Sequence, residues 1–418
     1  MNTKKVIIYT SIVVVSILFI AGSVLFAFEL QRRTDEKTEQ ENIENLTAEK
    51  PTDIPSPTDK PVTDHSQDNL SPDDDDNASL PDHTSEDPLE EDIPERENPI
   101  SLVFAGDINF DEDSWPIRKY QQEGKGILGG ISQDLIDEMK QADVMMVNNE
   151  FAYSLRGKKT PDKSYTFRAK PERVSILHEM GVDIVSLANN HALDYGQEAL
   201  LDTFETLENA GIDYVGAGEN MDRAKAPIYY TIEDKTIGIV SASRVIFAMD
   251  WYATDTRPGM IGTYDPAQFI PSIEEAKKNS DFVIAYVHWG KENTHKLLDY
   301  QVTMAKQYID AGADAVIGAH PHVLQGIEFY KGKPIAYSLG NYWFSSKSRE
   351  SALFKLIINP DDSVDVQLIP AMCDNAYTYM INDQDQRDKY FDFIRDISFN
   401  IEIDEQGFLS EKESDSLE

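Results

Sequence analysis

A single cysteine, Cys373, stands in 418 residues, so no intrachain disulfide is available. Stability must come from a packed core or from bound metal. No cysteine follows the apolar run near the start, which argues against a lipid-modified N-terminus. Charge is missing from Val6 to Phe28, and roughly 20 apolar residues are what a helix needs to cross a bilayer. Cleaved secretory signals use a shorter apolar region, ~7–15 residues, with small residues at the cut. This run is longer and ends Leu25-Phe26-Ala27-Phe28, which favours an uncleaved signal anchor over residues 6–28. With a tail of residues 1–5 carrying Lys4 and Lys5, the N-terminus is expected in the cytoplasm. The bulk of the chain is then extracellular, held to the cell membrane by one span.

Basic residues are scarce: 38 Lys and Arg stand against 75 Asp and Glu, a net charge of −37. Between Thr34 and Asn98 there are 22 acidic and 4 basic residues, an unbroken Asp73–Asp76 run and almost no aromatics. Such a stretch cannot bury enough apolar surface to offset its ordering entropy. Residues 29–98 therefore read as a disordered acidic linker, with His65 and His83 solvated. Residues 99–418 still carry about −22. A surface of that sign repels nucleic acid, and it repels a polyanionic substrate unless cations are bound locally.

From Ile100 short apolar runs alternate with amphipathic stretches. Strands are expected at Ser101–Ala105, Asp143–Val147, Val182–Leu187, Phe282–Val287 and Ala315–Ile317, with hairpins at Ile228–Ser241 and Ile327–Ser338. Helices are expected at Ile131–Gln141, Pro171–Met180, Gln197–Ala210, Ala267–Asn279, Tyr300–Ala311 and Asp385–Ile397. The alternation specifies an α/β domain, and the hairpins add antiparallel strands to its sheets. It is placed at 99–375, with 376–418 as a C-terminal helix and strand extension.

Polar clusters follow the apolar runs one after another: Gly106-Asp107-Ile108-Asn109, Asn148-Asn149-Glu150, Asn189-Asn190-His191, His288-Trp289-Gly290 with Glu292, and Gly318-Ala319-His320-Pro321-His322. Ligands of open α/β sheets gather at the carboxyl ends of strands. Imidazole, carboxylate and amide oxygen together suit divalent Mn, Fe or Zn. Asp107, Glu150, Asn190, His288, His320 and His322 are the candidate ligands, and Asp107 or Glu150 could bridge two ions. A pair of ions ~3.5–4 Å apart would activate water and clamp a transferring phosphoryl or acyl oxygen. His191, next to Asn190, is the candidate general acid. Asn109, Asn149, Glu292 and Asn341 are candidates for touching substrate. Each has a blander reading: Glu292 beside His288 without reaching substrate, Asp194 as a cap of the next helix, His295 solvated, His178 on a helix surface, and Trp289 and Trp343 in packing.

Ala105-Gly106-Asp107, Ser186 to Gly196 (SLANNHALDYG), His288-Trp289-Gly290, Gly318 to Gly326 (GAHPHVLQG) and Tyr337 to Asn341 (YSLGN) together resemble the bacterial capsule-synthesis CapA family, the poly-γ-glutamate biosynthesis proteins. The resemblance spans roughly residues 100–345. It implies a metallophosphoesterase-like fold, two mixed β-sheets sandwiched by helices, with two divalent metal ions between strand ends. It implies the same six ligands, with His191 as general acid. The chain departs from the wider phosphoesterase pattern at Asn109, where that pattern has His, and at Glu150, where it has Asp. Whether the first metal position and hydrolysis survive is thereby open. Three functions follow: support of poly-γ-glutamate synthesis or export alongside other synthetase subunits, with the anionic polymer as partner; an independent extracellular phosphoesterase; and a non-catalytic scaffold.

Overall fold

In Leu102-Val103-Phe104-Ala105 both parities of the strand are apolar, so neither face can meet water and a layer must cover each. The structure, a computed structural model, describes residues 98–412. The expected anchor, and all of the expected linker but its last residue, lie outside the described residues. Ile100–Ile108 takes the centre of a ten-stranded mixed sheet. Leu102 and Phe104 point into a cluster shared with the second sheet, while Val103 and Ala105 point into one shared with helices.

On one side of Ile100–Ile108 the strands Val144–Asn149, Ile184–Ser186 and Asp213–Val215 run parallel to it in sequence. On the other side Arg349–Ile358, Val364–Asp374 and Phe408–Glu411 follow in that order, each antiparallel to its inner neighbour. The second sheet has six strands. Lys235–Ser243, Phe282–His288, Ala315–Ala319 and Lys333–Leu339 are parallel neighbours at its centre, and Ile228–Ile232 and Leu324–Tyr330 are antiparallel edges. Ile184 and Met146 of the first sheet meet Ile239, Ile284 and Ile317 of the second. Helices Gln133–Lys140, Ser175–Met180 and Gln197–Ala210 cover the outer face of the first sheet through Leu135, Leu177 and Leu200. Pro266–Asn279 and Asp299–Asp310 cover the second through Phe269, Ile273 and Tyr308. The expectation of an α/β fold with mixed sheets between helices is borne out.

The differences are local. The helix expected over Pro171–Met180 is split into a 3₁₀ turn at Pro171–Val174 and an α-helix at Ser175–Met180. Helix Trp115–Glu123, mostly polar in sequence, forms behind its Ser114 cap, which accepts from the Ile117 N–H. The late helix, Gln384–Ile397, buries Tyr390, Phe391 and Ile394 against the cluster between the sheets. Strands Ile401–Ile403 and Phe408–Glu411 then extend the first sheet. Among the described residues no helix is long and apolar enough to cross a membrane.

Two polar ties lock the sheets together near one end of their parallel strands. The Tyr286 hydroxyl donates to the Ala105 carbonyl at 3.1 Å, and the Ser186 and Ser241 hydroxyls lie 2.7 Å apart. The carboxyl ends of Ile100–Ile108, Val144–Asn149, Phe282–His288 and Ala315–Ala319 converge just beyond.

Candidate functional site

The first sheet delivers the carboxylates. A side chain at Gly106 has no room, since a Cβ would lie 1.9 Å from the Gly340 carbonyl oxygen. That oxygen accepts from the Asp107 N–H at 2.8 Å, so the turn at Gly340 (φ 61°) is clamped onto Asp107. Asn148 pairs in register with Asp107, and Glu150 follows it. The second sheet delivers the imidazoles. His288 ends its strand opposite Ala319, and His320 (φ 97°) and His322 (φ 58°) take left-handed backbone around Pro321. Each such residue costs ~1–3 kcal/mol and persists where its surroundings hold it, most often at a functional site.

Asn148 holds the centre. Its amide nitrogen donates to Asp107 Oδ1 at 2.7 Å and to Glu150 Oε1 at 2.9 Å. Those two bonds use both amide hydrogens, so His288 Nδ1, 3.1 Å away, gains no full hydrogen bond there. His288 Nε2 lies 2.8 Å from Asn190 Oδ1, an acceptor, which makes Nε2 the protonated nitrogen. The bare Nδ1 then faces Glu150 Oε1 at 3.6 Å. One ligand atom each from Asp107, Glu150 and His288 lie within 4.8 Å of one another. His322 Nδ1 stands 3.1 Å from Asp107 Oδ2, but its proton is directed to Asn341 Oδ1 at 2.8 Å. Asp107 Oδ2, Glu150 Oε2 and His320 Nδ1 are buried without a hydrogen-bond partner. Buried polar atoms are almost always paired. Bare carboxylate oxygens beside the unprotonated nitrogen of His288 offer the donor types of a divalent cation.

The charges agree. Burial and the neighbouring Asp107 charge push the Glu150 carboxyl well above the ordinary range. Burial also raises Asp107, but close contact with His322 and the His322 charge outweigh that and hold Asp107 low. Burial keeps His288 well below the usual histidine value and takes His320 to about 3. Burial opposes the charge on His322, yet contact with Asp107 holds it above the usual value. His288 and His320, held neutral, keep a lone pair for a cation, and binding one would displace the proton that Glu150 retains.

His191, itself buried, lies against the Phe167 ring with centroids 4.3 Å apart. Its Nδ1 is 2.7 Å from Asp194 Oδ2 and 3.0 Å from the Lys163 ammonium. Only Asp194 can accept, and the shorter contact assigns the proton to Nδ1. Burial takes His191 to about 4 despite Asp194. Asp194 is not the helix cap expected of it. Gly196 occupies that position, and the carboxylate is bonded to His191, the Phe167 N–H and Lys163 instead.

Of the six expected ligands, Asp107, Glu150, His288, His320 and His322 are drawn together, and Asn190 joins through His288. Asn341 touches the cluster at His322. Glu292 is exposed at the mouth, where its charge reaches Glu150 and His322. Two others are turned elsewhere: Asn109 Oδ1 accepts from the Asp111 N–H, and the Asn149 amide donates to the Phe151 carbonyl. His295 bonds the Leu324 carbonyl, and the Trp289 and Trp343 indoles donate to buried backbone carbonyls. Asn148, Asn189 and Lys163 were missed. Asn189 supports Asn148 by donating to its Oδ1 at 3.1 Å.

Comparison with known proteins agrees with the motifs. Over 245 residues the chain is 34% identical to the capsule biosynthesis protein CapA of Bacillus anthracis, covering 56% of this chain and 58% of that one. It is 39% identical over 202 residues to the PGA biosynthesis protein CapA of Bacillus subtilis, covering 47% and 52%. The chain thus spans about half the length of these curated relatives. Among solved structures it is similar to a novel phosphatase from Mycoplasma pneumoniae, with a TM-score of 0.42 and 12% identity over 66% of this chain and 95% of that one. The family model for bacterial capsule synthesis protein PGA_cap matches residues 101–346, more than half of the 418, and the chain belongs to that family.

Proposed function

We propose that this chain is a membrane-anchored, extracytoplasmic component of poly-γ-glutamate capsule synthesis or export, working through a metallophosphoesterase-like centre. The observation that carries the reading is that one family match, residues 101–346, contains every residue of the buried cluster. The relatives' names, a capsule biosynthesis protein and a PGA biosynthesis protein, supply the polymer. The uncharged run from Val6 to Phe28 supplies the anchor.

We read the cluster as a place for two divalent ions, of Mn, Fe or Zn type, and the closeness of both carboxylates to imidazoles favours that reading. Glu150 is 3.6 Å from His288 and 4.0 Å from His322, and Asp107 is 3.1 Å from His322. Asp107, Glu150, Asn190, His288, His320 and His322 would hold them. Bound there, the ions would supply Lewis acidity toward a phosphoryl or acyl oxygen. Asn148 orients both carboxylates, and Asn341 fixes the His322 ring. His191, positioned by Asp194, exchanges a proton with the reacting group through Nε2.

Removing the chain from its host and measuring surface polymer tests the role. Loss of poly-γ-glutamate, restored by the wild-type chain but not by Asp107→Asn, is expected; unchanged polymer overturns it. Fewer than one ion per purified chain would remove the metal from the reading. The His191–Asp194 pair beside the cluster favours a second reading, an independent phosphoesterase. It requires that the chain with Mn cleave an aryl phosphate and that His191→Ala abolish cleavage.

A further inference from the structure

Between Arg156 and Arg173 the charge of this acidic chain reverses. Arg156, Lys158, Lys159, Lys163, Arg168, Lys170 and Arg173 stand against Asp162 and Glu172. Five of the seven are engaged by the fold. Arg156 binds Asp202 at 3.1 Å, Arg173 and Lys170 reach Glu112 at 2.9 and 3.8 Å, and Arg168 lies 4.1 Å over the Tyr195 ring. Lys163 is inside, its side chain 8% exposed, between Asp194, His191 and the face of Trp251. Lys158 and Lys159 are exposed and form no ion pair among the described residues.

The loop bearing them is fixed to the turn that positions His191. The Thr160 N–H donates to the Asp194 carbonyl at 2.8 Å, and its hydroxyl to the Leu193 carbonyl at 3.2 Å. Gly157 (φ 82°) presses on the same turn, where a Cβ would meet the Tyr195 carbonyl oxygen at 2.0 Å. Lys163 is five positions beyond Lys158, at most about 18 Å between their Cα atoms. Two free surface ammoniums thus lie within a few polymer units of a buried ammonium that touches the candidate proton donor.

We propose that the Arg156–Phe167 loop is a docking strip for a carboxylate-bearing polymer, met first by Lys158 and Lys159 and led inward to Lys163 beside the buried cluster. This rests on the poly-γ-glutamate reading above, and it supplies what an acidic chain otherwise lacks, a cationic approach to its own site. The free groups are lysines. A compact ammonium grips a carboxylate as a point charge without fixed geometry, which suits a chain that must advance, whereas bidentate arginine suits a fixed phosphate. Each contact is weak at a surface, and repetition along one polymer makes the hold.

The test uses the full-length chain in detergent, with fluorescent poly-γ-glutamate of defined length as probe, titrated at 50 and 200 mM salt. Melting curves serve to show that the Lys158→Glu/Lys159→Glu variant is folded. The variant is expected to bind roughly tenfold more weakly at low salt, with a shallower salt dependence, with or without a chelator. Binding within twofold of wild type overturns the strip, as does equal or tighter wild-type binding of inorganic polyphosphate. A parallel complementation separates the two readings. If wild type binds and restores surface polymer and the variant does both equally, only the strip falls. If wild type does not bind and its removal leaves surface polymer unchanged, the capsule reading falls and takes the strip with it.

Discussion

Changing Glu150 to glutamine removes one of two carboxylates that the fold buries together, while keeping the length of the side chain. Glu150 and Asp107 are both fully buried and share the Asn148 amide. Burial and the Asp107 charge drive Glu150 toward its protonated form. Glutamine resembles that form, so the metal-free fold should change by no more than about 1 kcal/mol. The metal-loaded chain behaves differently. A ligand at 100 times its dissociation constant stabilises by about 2.7 kcal/mol. At about 2.1 cal/mol/K per residue, the roughly 315 residues from 98 to 412 unfold with an entropy of about 0.66 kcal/mol/K. The loaded wild type should therefore melt about 4 °C higher than the stripped one. Calorimetry of wild type and Glu150→Gln, each stripped and then titrated with Mn, reads both effects. Stripped Glu150→Gln should melt within about 2 °C of stripped wild type, and Mn should raise it by less than about 1 °C. A stripped variant that melts more than about 5 °C low would mean that Glu150 is ionised and stabilising, and an undiminished Mn response would mean that it is no ligand. Either result refutes the reasoning.

Asn148→Ala strands Glu150 Oε1 without its donor and leaves Asp107 Oδ1 only the 3.4 Å bond from the His320 N–H, a loss of ~1–3 kcal/mol. A urea midpoint corresponding to a loss under about 1 kcal/mol would show the amide is dispensable. Gly106→Ala drives a methyl into the Gly340 carbonyl and should destabilise by ~2–4 kcal/mol, in the range of overpacking and backbone effects; a wild-type melt would contradict the clamp. Because burial holds His191, His288 and His320 below the ordinary histidine value, the unfolded chain takes up protons below pH ~6.5 that the folded chain refuses. The stripped protein should therefore lose stability from pH 6.5 downward, at ~1.4 kcal/mol per pH unit for each such histidine. That loss runs to about 4 for His191 and about 3 for His320, and the raised Glu150 offsets part of it. Equal urea midpoints at pH 7 and pH 5 would sink this account.

The ligand candidates were legible because each follows a strand whose two faces are both apolar. A charged or imidazole residue there stands at the carboxyl edge where α/β sheets hold their ligands. Asn148 carried a signal that went unused. It shares strand parity with Val144 and Met146, whose side chains enter the cluster between the sheets, so its amide had to be buried and bonded. Asp194 was misread through its distance from the helix: Gln197 begins it and Gly196 stands at the cap, so Asp194 is too early to cap anything. Lys163 had no readable signal. It lies in an irregular polar loop 31 residues from Asp194, and only the folded path of that loop brings the two together. The late helix was visible in its apolar spacing. That it seals the cluster between the sheets was not, because spacing names a buried face and not what buries it.

The acidity of the chain and the charge of its proposed polymer oppose each other, and the fold answers in one place. Around the cluster, positive charge is confined to where it can be held: His322 against Asp107, and Lys163 against Asp194, both nearly closed to water. Elsewhere in the Arg156–Arg173 stretch Arg156, Lys170 and Arg173 are spent on internal acids, and Lys158 and Lys159 stay open to solvent. A general attraction for polyanions would have needed a basic surface, and the chain does not have one. A local attraction needs a few free cations on a rigid loop beside the chemistry. The hydrogen bonds from Thr160 to the Leu193–Asp194 turn provide that rigidity, so any anion drawn to the loop is drawn toward His191.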